Sequence, residues 1–357
     1  MRLLFVASAV GPLGTGIAGG VELNLLNLAH ALQARGHVVH IVAPAGSRTG
    51  EIPLVWQAQG LPPAFAQGET RDSPVILPQP SVLANLWEGA RALQNDYDLI
   101  VNWGYDWLPL YLTRFFQTPV LHVISMGSLL DHIDSAIAQV LSDCPGTVAV
   151  HSQAQAETFV GIENLVILPC GMDLSAYTFC SKPENYLVWI GRIAPEKGLE
   201  DALAAAALAK LPLYVLGRLQ DPGYFAQIQA DNPGAILKYC GFLPTDEMQS
   251  VVGKAKALLV TPKWIEAFGN VVVEALACGV PVIAYRRGGP AETVLDAITG
   301  FLTPPDDPSA LVAAIAKLDT IDRARCRAHA EENYTLSVMT DRFETWFRKL
   351  DKSQKPI

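Results

Sequence analysis

Positive charge is scarce in this chain. Lysine and arginine together number 26 against 35 aspartates and glutamates, a formal net charge of −9 over 357 residues. Binding along nucleic acid needs a continuous basic face that displaces counterions from phosphates. No such face is visible, which excludes nucleic acid as a partner. Long apolar runs are missing too: no stretch reaches the ~18 residues a membrane-spanning helix requires. The opening MRLLFVASAV holds one Arg and passes straight into glycines, so it reads as a first strand and not as a leader. The six cysteines (144, 170, 180, 240, 278 and 326) form no C-x-x-C pair and have no histidines at ligand spacing. That argues against a structural metal or a disulfide framework and for reduced, cytoplasmic thiols. Charged residues make up only 17% and hydrophobic ones 50%, which excludes a disordered chain and suits buried parallel sheets.

What is present is an alternation of short apolar runs and amphipathic stretches. RLLFVASA, HVVHIVAP, DLIVNW, PVLHVIS, TVAVHS and LVILPCG read as strands, and GVELNLLNLAHALQARG as a helix closed by Gly36. Residues 46–80, rich in Gly, Pro and Gln, read as a loop-rich insertion. The rhythm restarts after a linker around 172–185. SKPENYLVWIGRI, PLYVLGR, AILKYCGF, KALLVTP and PVIAYRRGG are its strands; GLEDALAAAALAKL, TDEMQSVVGKA and NVVVEALACG are its helices. Such alternation predicts right-handed βαβ units and two doubly wound α/β domains. A last helix, MTDRFETWFRKL, places apolar residues at 339, 343, 346, 347 and 350 and should bury one stripe.

The glycine stretch GTGIAGG contains Gly14-x-Gly16-x-x-Gly19, the literal dinucleotide fingerprint. That fingerprint needs an acid at the end of the second strand for the ribose. Here the strand ends in Ala43-Pro44-Ala45-Gly46, so an NAD site is not expected. What survives is a close backbone approach at Gly19-Gly20, ahead of a helix N-terminus that favours an anion.

The second half is richer. Gly191-Arg192 ends a strand and Lys197-Gly198 precedes a helix; in so acidic a chain, two cations flanking such a turn suggest a phosphate clamp, with a solvated loop pair as the alternative. Glu266 and Glu274 bracket Phe268-Gly269-Asn270. A helix begun near Gly269 would offer free N–H groups to a diphosphate. Eight residues at ~1.5 Å rise span ~12 Å and return to one side of the helix. Carboxylates so placed suit hydroxyls at two ends of a long ligand and not paired acid–base work on one bond.

GGVE (19–22), LPCGMD (168–173), GRIAPEKG (191–198), YCGFLPTDEM (239–248), EAFGNVVVE (266–274), GGPAE (288–292) and TGFL (299–302) together make the chain resemble the retaining glycosyltransferases of family 4 over nearly its whole length. The resemblance implies an α/β GT-B fold: two Rossmann-like doubly wound domains facing a central cleft, with a C-terminal helix crossing back to the N-terminal domain. Residues 1–172 with about 336–357 would form the acceptor-side domain and 173–335 the nucleotide-sugar domain. It further implies that Arg192 and Lys197 neutralise the departing diphosphate and Glu266 holds the donor sugar. Glu274 would take the ribose. Phe268, Gly269 and Asn270 would present backbone amides, with Gly191 beside them. The base would lie around Cys240, Gly241, Phe242 and Leu243, and Gly19 and Gly20 would line the cleft beside the diphosphate. A hexose would pass from a nucleotide diphosphosugar, UDP-glucose as the expected case, to an acceptor hydroxyl with no cofactor and no metal.

One departure from the family stands out. Its usual N-domain histidine is replaced by Ser125-Met126-Gly127. His122 lies within the strand, where core packing is the expectation, and His132 is the other imidazole in reach of the cleft. Trp103, Tyr105 and Trp107 would suit stacking on an acceptor sugar or packing on lipid, with Met126 on the same acceptor side; ordinary core is the alternative reading. DYD (96–98) reads as a strand start and not as a metal-binding triplet. Competing readings are a sugar-nucleotide epimerase of the same fold and a nucleotide-sugar-binding protein without catalysis. The acceptor would be a saccharide or a lipid-linked glycan. A mean hydropathy of +0.24 allows peripheral contact with the inner membrane face, although no basic amphipathic helix speaks for it.

Overall fold

A computed structural model describes residues 1–16 and 19–350. The chain forms two compact units, one of residues 1–172 joined by the segment from Leu336 onward, the other of Asp173–Thr335.

The first unit is built on seven parallel strands: β1 (Arg2–Val6), β2 (Val38–Pro44), β3 (Leu54–Ala58), β4 (Leu99–Asn102), β5 (Val120–Val123), β6 (Val148–Val150) and β7 (Val166–Ile167). Their order is β3-β2-β1-β4-β5-β6-β7. The strands run outward from β1 on one side and then restart at β4 on the other. That reversal leaves a crevice outside the carboxyl ends of β1 and β4, where open α/β sheets take ligands. Leu3 to Val6 are fully buried, as expected of a strand covered on both faces. The helix Gly20–Ala34 buries Leu25, Leu28, Ala29 and Leu32 at helical spacing. Gly36 ends it at φ +86°, donating to the Gln33 carbonyl at 2.9 Å.

Residues 46–80 are not all loop. They contain β3, which pairs with β2 at the sheet edge. Only one of its five residues is buried, so its apolar signal is weak. Trp56 anchors it: its ring lies against Gly89, where a Cβ would come within 2.5 Å of the indole, and its Nε1 donates to Asn85 at 2.9 Å. DYD serves the sheet, since Asp98 accepts from the Arg2 amide at 2.7 Å just ahead of β4.

The helix Leu336–Leu350 completes this unit. Met339, Phe343, Trp346 and Phe347 are buried in the same core as β1, β2, β4 and β5. Phe343 stacks on Trp103 at 6.2 Å between centroids. Arg35 reaches Asp341 at 2.6 Å and His37 reaches Glu344 at 3.0 Å, tying the helix to the end of Gly20–Ala34. Trp103 is therefore corrected. It is 2% exposed, packed between Phe5 and Phe343, and no acceptor sugar can stack on it.

The second unit has six parallel strands: β8 (Leu187–Ile190), β9 (Leu213–Leu216), β10 (Leu237–Gly241), β11 (Ala257–Val260), β12 (Val282–Tyr285) and β13 (Gly300–Thr303), ordered β10-β9-β8-β11-β12-β13. Its reversal falls between β8 and β11. The helix Pro222–Asp231 separates β9 from β10, as a parallel pair demands. The expected linker at 172–185 is in fact packed on this unit. Cys180 donates its amide to the Cys278 carbonyl at 3.0 Å, and Arg327 reaches the Tyr177 carbonyl at 2.7 Å.

Candidate active site

The expected nucleotide residues of the second unit gather at the carboxyl ends of its strands. Gly191 and Arg192 follow β8. The short turn Pro195–Lys197 ends at Gly198, which has φ +66°, and leads into the helix Leu199–Ala209. A Cβ on Gly198 would run into the Thr261 carbonyl. Thr261 in turn donates its hydroxyl to the Gly198 carbonyl at 2.7 Å, and the Lys263 amide donates to the Glu196 carbonyl at 2.9 Å. The turn after β8 and the loop after β11 are thus fixed against each other at the switch point.

That closeness joins the predicted charges. Lys197 Nζ donates to Glu266 Oε2, and the same oxygen accepts from Trp264 Nε1 at 3.1 Å. The ammonium also stands 4.8 Å from the Trp264 ring centroid. Burial alone would raise the Glu266 carboxyl pKa. Lys197, Trp264 and the more distant Arg192 overcome that and hold it below its usual value. Arg192 spreads its guanidinium between Glu196 at 2.8 Å and Gln220 at 2.5 Å.

Glu274 sits apart from this pair. It lies in the helix Asn270–Ala277, which starts directly after Gly269 at φ +87°, with no side chain capping it. Burial pushes its carboxyl up to about 7, against the hydrogen bond it accepts from the Tyr177 hydroxyl at 3.2 Å. Phe268 is buried against Tyr334, so this segment can offer a ligand its backbone and not its ring. Gly288 and Gly289 cradle the loop below, the Gly289 amide donating to the Glu266 carbonyl at 2.7 Å. At the end of β10, Gly241 has φ +74° and accepts from the Gly217 amide at 2.8 Å. Phe242 is exposed, with the Arg218 guanidinium 6.0 Å from its ring centroid; Cys240 and Leu243 are half-buried.

Several residues escaped sequence reasoning. Lys263 bonds Asp201 at 2.5 Å and Asp306 at 3.2 Å, and Arg287 bonds Asp306 at 2.5 Å and the Pro262 carbonyl at 2.8 Å. They stiffen the loop that carries Glu266. Their acids lie 43 to 62 positions away for Lys263, so no local pattern could reveal them.

In the first unit, Gly19 takes φ +60° ahead of the helix that Gly20 opens, and a Cβ there would meet nothing within 4 Å. Glu22, part of the quoted GGVE but given no role, folds back to accept from the amides of Thr15 and Gly16, both at 3.1 Å. Gly14 and Gly16 adopt φ +73° and +74°, so the apparent fingerprint shapes this loop. His122 is core, bonded to Asn102 and Thr113 and pushed down to about 3 by burial. Ser125 faces His151, a second omission. His151 Nδ1 lies 3.0 Å from the Leu168 carbonyl, which can only accept, so Nδ1 carries the proton and Nε2 accepts from the Ser125 hydroxyl at 2.9 Å. Met126 holds Gln155 by its carbonyl at 2.8 Å. The Tyr105 hydroxyl accepts from Leu129 at 3.0 Å, and burial drives it up to about 12. Asp106, also unforeseen, follows β4 and is raised to about 6 by burial and by Glu69. Among the described residues no three His, Cys, Asp or Glu side chains gather as a metal site. No helix among them is long and apolar enough to cross a membrane.

Residues 178–333 match the family model Glycosyl transferases group 1, and residues 18–176 match Glycosyltransferase Family 4. The chain is a family 4 glycosyltransferase. Its reaction class is therefore glycosyl transfer from a nucleotide-sugar donor. This glycosyltransferase is 23% identical to glycogen synthase of Mycobacterium tuberculosis over 372 aligned residues, covering 92% of this chain and 89% of the relative. It is 30% identical to D-inositol 3-phosphate glycosyltransferase of Mycolicibacterium smegmatis over 228, where 60% of this chain spans 52% of the relative. Among solved structures, sucrose-phosphate synthase of Thermosynechococcus elongatus superposes with a TM-score of 0.77 at 20% identity, covering 99% and 100% of the two chains. HepE of Anabaena in complex with UDP and glucose superposes with a TM-score of 0.75 at 20% identity, covering 98% and 100%. These likenesses place the fold as GT-B.

Proposed function

We propose that this glycosyltransferase is a retaining hexosyltransferase that moves glucose from UDP-glucose to a hydroxyl of a saccharide or lipid-linked acceptor without a metal ion. The observation that carries the reading is the cation pair Arg192 and Lys197 at the β8/β11 switch point, the second of them already joined to Glu266. The bond from the sugar's anomeric carbon to the phosphate oxygen breaks with its electron pair on that oxygen. The acceptor oxygen bonds the same face of the carbon, and its proton passes to the departing phosphate. Arg192 and Lys197 then stabilise charge where it develops, in place already. Glu266 aligns the hexose and Glu274 the ribose. The choice of UDP and glucose draws on HepE, whose structure holds those ligands. The six free cysteines suit a reduced, cytoplasmic setting.

Calorimetric titration with UDP, GDP, ADP and NAD, in EDTA and again with magnesium, tests the reading. Binding of one nucleoside diphosphate in EDTA is the expected result. NAD alone, or none of the four, would overturn it.

The position of Glu274 adds a pH signature. Ribose hydroxyls donate to the ionised carboxylate, so binding lowers the pKa from about 7 and expels a proton near neutrality. Nucleotide affinity therefore rises with pH toward 7 and levels off above it. Titrations in buffers of different ionisation enthalpy will show the released proton. Glu274→Gln isolates it from the nucleotide's own terminal phosphate, which titrates near pH ~6. Glu274→Ala weakens nucleotide binding, whereas Glu266→Ala mainly lowers turnover. Equal affinity losses with unchanged turnover would contradict these two roles.

A further inference from the structure

We propose that Glu196 is a releasable counter-ion for Arg192. It orients the guanidinium in the ligand-free enzyme, yields it to the donor's diphosphate, and competes for it again as the nucleoside diphosphate departs. The proposal rests on Arg192 being a diphosphate ligand. Arg192 is bound on one nitrogen by the Glu196 carboxylate at 2.8 Å and on the other by the neutral Gln220 amide oxygen at 2.5 Å. Among the described residues, the Glu196 carboxylate has no ion pair besides this one. Its backbone is separately pinned by Lys263, so the side chain can leave without disturbing the turn. Both partners are partly open to solvent, 34% and 26% exposed, as an exchangeable pair must be.

The charge balance gives Glu196 its purpose. Two cations, Arg192 and Lys197, face two carboxylates, Glu196 and Glu266, so these four charges cancel. The departing diphosphate takes up the acceptor's proton, but a terminal phosphate titrates near pH ~6 and gives that proton to solvent near neutrality. The product then carries one more negative charge than the diphosphate did on the sugar, so a bare cation pair would grip the product harder than the substrate. A carboxylate presents the same fork to a guanidinium that a phosphate does. Glu266 is held by Lys197 and Trp264 at once, which leaves Glu196 as the carboxylate free to exchange.

The test is Glu196→Gln, which keeps size and an oxygen for Arg192 but removes the charge. UDP, GDP and ADP are titrated into wild type and variant, and the diphosphate that binds wild type is the readout. Its affinity should rise about three- to fivefold at low salt, the range of a partly exposed ion pair, and the gain should shrink as salt is added. Product inhibition should strengthen, with kcat reduced while kcat/KM for the donor does not fall. A purely structural Glu196 gives the opposite sign, because a loosened Arg192 binds less well. Unchanged or weaker affinity in the variant overturns the proposal. Gln220→Glu supplies the converse and covers failure of the first variant to fold: a second carboxylate on Arg192 should weaken binding by a similar factor, and unchanged affinity would again count against the idea. If wild type binds none of the three, the assignment of Arg192 itself falls first.

Discussion

Lys197→Ala lowers glycosyl transfer by about 10²–10³-fold, and Arg192→Ala does so within the same range, as expected when a preorganised donor to developing charge is removed. The two losses should differ in kind. Lys197 compensates a carboxylate as well as the leaving group: without it Glu266 keeps only the Trp264 bond and the distant Arg192, while its burial persists. The Glu266 carboxyl pKa then climbs. At saturating donor, where the effect of Glu274 on binding drops out, Lys197→Ala should therefore show a rate that rises with pH through the acid range, where the wild-type rate is already flat. Arg192→Ala leaves the Lys197–Glu266 pair in place and should keep the wild-type profile at a lower rate. Single-turnover rates across pH for the three proteins check this. Near-wild-type turnover in either variant would show that the clamp is misassigned.

Gly289→Ala should remove donor turnover and destabilise the second unit together. A Cβ there would stand 2.5 Å from Phe268 Cα, 2.7 Å from the Ala267 carbonyl oxygen and 2.8 Å from that of Phe268. All are backbone atoms, so no rotamer change relieves the clash. Overpacking of this sort costs about 1–3 kcal/mol. It also pushes on the segment that carries Glu266, and a shift of about 1 Å can cost ~10²-fold in rate. Gly234→Ala is the control, since nothing lies within 4 Å of its Cβ. Melting temperature and turnover of both variants decide the matter. Retained turnover in Gly289→Ala would show that the Gly288-Gly289 cradle does not set the position of Glu266.

The grouping of the second unit's candidate residues was largely legible because they cluster in sequence around two strand ends. Gly191, Arg192 and Lys197 fall within one strand-to-turn segment, and Glu266, Gly269 and Glu274 within another; backbone hydrogen bonds then bring the segments together. Lys263 and Arg287 were not legible, because their acids come from remote parts of the chain. In the first unit, Trp103 looked available because an aromatic after a strand can face either way. Only the tertiary neighbours Phe5 and Phe343 decide. The Ser125–His151 contact joins residues 26 apart through the ends of adjacent strands, a consequence of sheet order that no spacing rule supplies. Edge strand β3 escaped because half-exposed positions dilute its apolar signal.

The closing helix of the first unit carries a consequence for biosynthesis. Phe343, Trp346 and Phe347 fill the core around β1, yet residues 336–350 emerge only after all of Asp173–Thr335 has been made. The second unit is contiguous and can fold while translation proceeds, whereas the first must wait with its sheet uncapped. At ~5–20 residues per second that wait lasts ~10–30 s. The half of the enzyme synthesised first is thus the half completed last, and during that interval the apolar surface that receives Phe343 stays uncovered.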